Sequence, residues 1–217
     1  MSNRTVLIAG ATGLVGQELL KGLLTDESVA QVHCLGRRAP GLSHPKLHAH
    51  VVDFKDLPRL PTADELYLAL GTTIKVAGSQ EAFRAVDYEA NLAVTTAAMA
   101  TGCRRIGLVS AMGADPKSKV FYNRIKGELE GALSRTPFES LVIARPSLLV
   151  GDRAALGQPV RRGEQWGFKI GKWLSFLIPA NYQPIAAADV AKSLLREVPS
   201  ARCKVVLLSA QMNWSTT

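Results

Sequence analysis

Along this chain, short uninterrupted apolar runs alternate with longer stretches of helical spacing. Residues 5–9 form such a run, closed by a glycine-rich turn at 10–13. Residues 14–24 then switch to helical spacing through Leu14, Val15, Leu19, Leu20, Leu23 and Leu24. Further apolar runs follow at 32–35, 49–52 and 66–70, and strand-like segments at 105–110, 139–145 and 204–209. Between them, 80–100, 119–134 and 187–198 carry helical periodicity, the first along Phe83, Val86, Ala90, Val94 and Ala97. Apolar runs without alternation signal strands buried on both faces. Interleaved with amphipathic helices, they predict an α/β chain with a doubly wound parallel sheet, a Rossmann fold with right-handed crossovers.

The rhythm breaks over about 150–184, where Gly151, Gly157, Pro159, Gly163, Gly167, Gly171 and Pro179 gather with two of the three tryptophans. This stretch is expected to be a small C-terminal lobe or lid on a single 1–217 domain, with a short helix near 164–177. Trp166, Trp173 and Phe176 would line a substrate or form the core of that lobe, since tryptophan brings so much area to bury.

Composition narrows the class. The chain of 217 residues is 47% hydrophobic and 20% charged, which excludes a disordered chain. The cysteines Cys34, Cys103 and Cys203 form no C-x-x-C pair, so neither a disulfide framework nor a structural zinc site is suggested. No stretch reaches the roughly 20 apolar residues that span a bilayer. An apolar run begins already at Val6, which leaves no room for a signal peptide and sets the expectation of a cytosolic protein. The net charge of +8 is spread along the chain rather than gathered in a block, and aromatics are 6%. That pattern argues against nucleic acid as the main partner. His44, His48 and His50 lie near His33, yet a zinc site needs converging ligands. They are expected to be solvated or edge side chains.

Gly10-Ala11-Thr12-Gly13-Leu14-Val15-Gly16 lies directly between the first strand and the first helix. In that context Gly10 permits the tight turn, Gly13 lets the backbone approach a pyrophosphate, and Gly16 lets helix and strand pack closely. The helix amino terminus then offers free N–H groups and a favourable dipole to phosphates. A tight strand–helix turn without a ligand would need fewer glycines. At the end of the second strand, Arg37 and Arg38 stand where NAD-preferring sites place a carboxylate, Arg37 coming 21 residues after Gly16. Two guanidiniums suit the 2′-phosphate of NADP(H); the plain alternative is a pair of solvated arginines.

Ser110 ends the fifth strand, and Tyr122 and Lys126 follow at i, i+4 on a helix. That spacing lets phenol and ammonium share one face. A phenol with pKa near ~10 is a poor acid–base catalyst at neutral pH, and a nearby ammonium favours its ionised form. Ser110 could hold a substrate carbonyl. Read plainly, Tyr122 is an amphipathic helix residue, Lys126 a solvated partner of Glu130, and Ser110 a turn residue.

These motifs resemble an atypical short-chain dehydrogenase/reductase with the extended-type glycine loop. The chain is most similar to the Tat-interacting-protein subgroup of NADPH-binding proteins. The residues that carry the likeness are Leu70-Gly71-Thr72-Thr73, Ala77-Gly78-Ser79, Val86-Asp87, Gly113-Ala114-Asp115, Lys126-Gly127-Glu128, Arg145-Pro146 and Asp152-Arg153. The likeness runs from about residue 5 to 200.

The resemblance implies that Gly10, Thr12, Gly13, Leu14, Val15 and Gly16 surround the pyrophosphate, and Arg37 and Arg38 the 2′-phosphate. It places Asp53 and Phe54 beside the adenine and Leu70, Gly71 and Thr72 along the nicotinamide-side ribose. Ser110, Tyr122 and Lys126 become the catalytic set, Tyr122 and Lys126 also touching cofactor, and Arg145, Pro146 and Ser147 close over the nicotinamide. Asn91 is read as a polar side chain on a helix flank.

Extended members usually carry a sizeable C-terminal substrate domain, of which only the short 150–184 excursion is expected here, so nucleotide-sugar chemistry is not expected. The expected partner is a small carbonyl or alcohol substrate, with no nucleic acid and no membrane. Relatives that act as NADPH-sensing regulators keep a protein partner open, and pairing through 80–100 and 119–134 would make a homodimer rather than a monomer.

Overall fold

The computed structural model describes residues 3–150 and 179–212. Its elements run β1 (Arg4–Ala9), α1 (Leu14–Thr25), β2 (Val29–Gly36), β3 (Leu47–Val51), β4 (Glu65–Leu68), α2 (Ile74–Ala77) and α3 (Gln80–Arg84). A π-helical turn (Ala85–Ala90) then leads into α4 (Asn91–Ala100), β5 (Arg105–Val109), α5 (Phe121–Leu133), β6 (Ser140–Arg145) and β7 (Leu149–Val150). After a 3₁₀ turn at Ala180–Tyr182 come β8 (Ile185–Ala186), α6 (Ala187–Ser200), β9 (Lys204–Leu208) and α7 (Ser209–Met212).

Seven strands form one parallel sheet in the order β3-β2-β1-β4-β5-β6-β9, and β7 pairs with β8 in a separate parallel ribbon. The central strands explain the unalternating apolar runs. In β1, Val6 and Ile8 pack into the layer of α1 and α6, with Leu19, Leu20, Leu23, Val190 and Leu194. Leu7 and Ala9 point the other way, into the layer of α4 and α5, with Val94, Ala98, Leu129 and Leu133. Side chains alternate across the sheet and both faces are dry, so every position without a polar partner must be apolar. The edge strand β3 is mostly accessible, which is why it tolerates His48 and His50.

At the amino end of the sheet an enclosed charge is fully partnered. Glu65 is completely buried, receives Arg4 Nη1 at 2.5 Å, and accepts the Tyr67 hydroxyl at 2.9 Å. Arg4 also reaches Asp26. Two cysteines are sealed in the core: burial pushes the Cys34 thiol up to about 12 and the Cys103 thiol to about 11.

The helix expected over 80–100 is interrupted by the π-helical turn. The side-chain amide of Asn91 donates to the carbonyls of Val86 and Asp87 and, across the site, to that of Leu70. A π-turn widens the helix and shifts the phase of its faces. As a result Asp87, Asn91, Thr95 and Ala98 are buried alongside Phe83 and Val94, while Val86 and Ala97 are only half-buried. Asn91 is therefore not a flank residue; it is wholly enclosed and clamps the turn. The expected lobe and its helix at 164–177, with Trp166, Trp173 and Phe176 and the pair Asp152-Arg153, lie outside the described residues.

Candidate functional site

Strand order reverses between β1 and β4, and the crevice beyond their carboxyl ends is where open α/β sheets bind ligands. Backbone clearance shapes it. Gly10 adopts φ +91°, and a Cβ there would lie 2.5 Å from the Ala69 carbonyl carbon. A Cβ on Gly16 would lie 2.0 Å from the Gly10 carbonyl oxygen. These contacts press the start of α1 against the ends of both strands. Gly13 caps α1 without any side-chain hydrogen bond, and the first turn carries no acid. The helix thus presents uncapped N–H groups to an anion. Leu14 and Val15 turn their side chains into the core, leaving their backbone for the crevice, and Thr12 is exposed.

Arg37 and Arg38 are exposed at the end of β2, and neither is ion-paired with another described residue. Across the turn after β3, Asp53 is exposed and accepts the backbone N–H of Lys55, while Phe54 is half-buried against the core.

On the other side of the crevice, α5 turns Tyr122, Lys126 and Glu130 to one face. Tyr122 is half-buried, its ring 5.6 Å from that of Phe83, and its hydroxyl makes no hydrogen bond with the described residues. Lys126 is buried, its ammonium 2.8 Å from Asp87 Oδ1. Burial pulls Lys126 down, but the Asp87 charge, with smaller help from Tyr122 and Glu130, more than reverses this and holds it above the usual lysine value. Asp87 Oδ2 accepts the Thr72 N–H at 2.8 Å, tying the Leu70-Gly71-Thr72 turn to the same pair.

Ser110 is buried and donates to Glu130 Oε1 at 2.5 Å. Arg145 grips the same carboxylate, Nη2 to Oε2 at 2.5 Å and Nε to Oε1 at 3.0 Å. The hydrogen bond that Arg145 donates to Glu130 raises its guanidinium further, against the opposing effect of burial. The Pro146 carbonyl accepts Met112 N–H, and Ser147 donates through its hydroxyl to the Gln183 carbonyl and through its N–H to Ser209 Oγ.

The fold thus gathers the predicted residues at one sheet edge but pairs them differently. Lys126 meets Asp87 rather than solvent and Glu130, and Ser110 meets Glu130. Glu130 went unnoticed as a site residue, although its i+4 and i+8 spacing from Lys126 and Tyr122 puts it on their face. Asp87 likewise follows the core residue Phe83 by four positions, where a lone carboxylate signals a buried partner.

Among the described residues no cluster of three or more His, Cys, Asp or Glu could hold a metal ion, and no helix is long and apolar enough to cross a membrane.

No protein-family model matches the chain. It is 32% identical over 199 residues to protein FMP52, mitochondrial, of Candida albicans, covering 87% of this chain and 85% of the relative. It is 34% identical over 171 residues to protein HTATIP2 of Rattus norvegicus, covering 76% and 69%. Among solved structures it superposes with a TM-score of 0.70 on a short-chain dehydrogenase/reductase family oxidoreductase from Burkholderia thailandensis, 19% identical, covering 98% and 94%. MoeE5 in complex with UDP-glucose and NAD also superposes at 0.70, with 17% identity, covering 94% and 75%. These structural likenesses show the fold. The mitochondrial FMP52 relatives, from Candida albicans and from Lodderomyces elongisporus among others, overturn the cytosolic expectation; the position of the first apolar run carries no information about compartment.

Proposed function

The chain belongs to the family of FMP52 and HTATIP2, and from that premise we propose that it is an NADP(H)-dependent oxidoreductase of the short-chain dehydrogenase/reductase type, acting on a small carbonyl or alcohol. The observation that carries the reading is the crevice itself. Gly10 brings the uncapped amino terminus of α1 against the turn whose Gly71 lies bare above Lys126 and Asp87. Both halves fit a dinucleotide: free N–H groups for the pyrophosphate, and an ammonium beside an open glycine for the ribose.

In this assignment Gly10, Thr12, Gly13, Leu14, Val15 and Gly16 cradle the pyrophosphate. Arg37 and Arg38, exposed and unpaired with described residues, take the 2′-phosphate. Asp53 and Phe54 flank the adenine, Leu70, Gly71 and Thr72 line the ribose, and Arg145, Pro146 and Ser147 stand at the nicotinamide end. A bound nicotinamide supplies or accepts the hydride. Tyr122 moves the proton at its phenolic oxygen, to the carbonyl in reduction and from the alcohol in oxidation. Lys126 orients the ribose with its two donors not directed at Asp87. Ser110 sits at the end of β5 with its own proton given to Glu130, so as placed it can accept from an alcohol O–H but has no proton to offer a carbonyl oxygen.

That last feature favours a second reading, a dinucleotide sensor working through a protein partner. Ser110 and Lys126 are both engaged by carboxylates, an arrangement that serves binding as well as turnover. Titration of purified protein with NADPH and NADH, then oxidation of bound NADPH across a carbonyl panel, separates the two. Turnover lost in Tyr122→Phe with binding intact supports the oxidoreductase. Tight binding without turnover on any carbonyl supports the sensor, and absence of binding refutes both.

A further inference from the structure

Asp87 has no role in the assignments above, yet it is the most enclosed charge at the site. Its side chain is 1% exposed and that of Lys126 is 5% exposed, their charged atoms 2.8 Å apart. The second carboxylate oxygen accepts Thr72 N–H. The π-helical turn that carries Asp87 is locked by the Asn91 amide. Gly71 lays the backbone of the Leu70-Gly71-Thr72 turn directly over the pair: a Cβ there would stand 3.4 Å from Asp87 Oδ1 and 3.8 Å from Lys126 Nζ. The other groups acting on Lys126 are Tyr122 and Glu130 of its own helix. Glu130 is already matched by Arg145 at 2.5 Å. The counter-charge of Lys126 is therefore Asp87.

We propose that Asp87 is the charge-compensating residue of the dinucleotide site, cancelling Lys126 so that the oxidised cofactor binds about as well as the reduced one. This rests on the dinucleotide reading given above. An oxidised nicotinamide ring carries one more positive charge than a reduced ring. A lone buried ammonium beside it would repel the oxidised form and select the reduced one. A close ammonium–carboxylate pair presents a dipole, whose field falls off faster than that of a single charge. In an effective dielectric of about 20, one uncompensated charge even ~12 Å away changes relative affinity about ten-fold. Asp87 touches neither substrate nor proton in this scheme; it acts through Lys126 as a positioning and balancing residue.

The test measures dissociation constants for NADPH and NADP⁺, with NADH and NAD⁺ in parallel, near neutral pH. It compares the wild-type chain, Asp87→Asn, Asp87→Glu and the neutral pair Asp87→Asn/Lys126→Met. Wild type is expected to bind both redox forms within about three-fold, and Asp87→Asn to weaken NADP⁺ about ten-fold relative to NADPH. That ratio corresponds to a rise of about 30 mV in the potential of the bound couple. Asp87→Glu and the neutral pair should restore the wild-type ratio, whatever they do to overall affinity. Equal weakening of both forms in Asp87→Asn would mean a purely structural role and overturn the proposal. Should Asp87→Asn not fold, the neutral pair, which leaves no buried charge unmatched, still decides: a ratio unlike that of wild type overturns it. Failure of wild type to bind any of the four dinucleotides would instead overturn the dinucleotide reading itself.

Discussion

Replacing Gly16 with alanine tests the packing of the crevice and its purpose together. The new Cβ would sit 2.0 Å from the Gly10 carbonyl oxygen and 2.8 Å from its carbonyl carbon. Both atoms are backbone, so no side chain can swing aside. Relief to ordinary contact near ~3.5 Å requires α1 to lift from the sheet by roughly 1 Å or more. The helix is seated by Val15, Leu19, Leu20 and Leu23, all at 4% exposure or less, and lifting it loosens each of them. Overpacking of this kind costs about 1–3 kcal/mol, and the backbone severity here puts the expectation at the upper end. The same lift moves the uncapped N–H groups, so NADPH affinity should fall at least about ten-fold. Gly13→Ala is the control. Its Cβ would meet the Gly10 oxygen at 3.5 Å, an ordinary contact, and Gly13 has φ −84°. Stability should change by less than about 1 kcal/mol, while the methyl group obstructs the approach of a phosphate. Urea unfolding followed by circular dichroism, beside fluorescence titration with NADPH, reads both quantities. A Gly16→Ala chain as stable as wild type, or a Gly13→Ala chain as destabilised as Gly16→Ala, would refute the reasoning.

Other consequences can be measured separately. Arg37→Ala with Arg38→Ala should weaken NADPH about ten-fold more than NADH; equal weakening would remove these arginines from the 2′-phosphate. Arg4→Met strands the fully buried Glu65 carboxylate and should cost about 3–5 kcal/mol in urea unfolding. Adding Glu65→Gln should recover much of that loss, and no recovery would contradict the charge argument. His33 is held down to about 4, by burial first and then by His50 and His48. The unfolded chain takes up a proton below about 6.5 that the folded chain refuses until about 4. Stability should therefore fall as pH drops from 6.5 to 4, by at most about 3 kcal/mol, and His33→Gln should flatten that part of the curve.

The parallel sheet was legible because its cause is local. A strand covered on both faces must be apolar wherever no polar partner is at hand, and the interiors of β1, β4 and β6 (Val6–Ala9, Leu66–Leu68 and Leu141–Ala144) are written that way. The glycine at 16 was legible for the same kind of reason, since it answers a clearance against Gly10 within one strand–turn–helix unit, whereas Gly10 also clears Ala69 beyond the end of β4. The π-helical turn was not. Its cause is the amide of Asn91 reaching the Leu70 carbonyl 21 residues away, a contact that no periodicity records.

The charges divide along the same line. By itself the sequence determined that a phenol, an ammonium and a hydroxyl would arrive at one sheet edge, because strand ends and i, i+4 spacing are chain-local geometry. Their partners were decided only by the tertiary structure. Asp87 reaches Lys126 from another helix, and Arg145 reaches Glu130 from the neighbouring strand end. A charge removed from water needs a counter-charge within a few ångströms, and the chain meets that need wherever the packed layers bring one close. Sequence distance has no part in that choice, so the pairs that set the electrostatics of the crevice appear only once the layers are assembled.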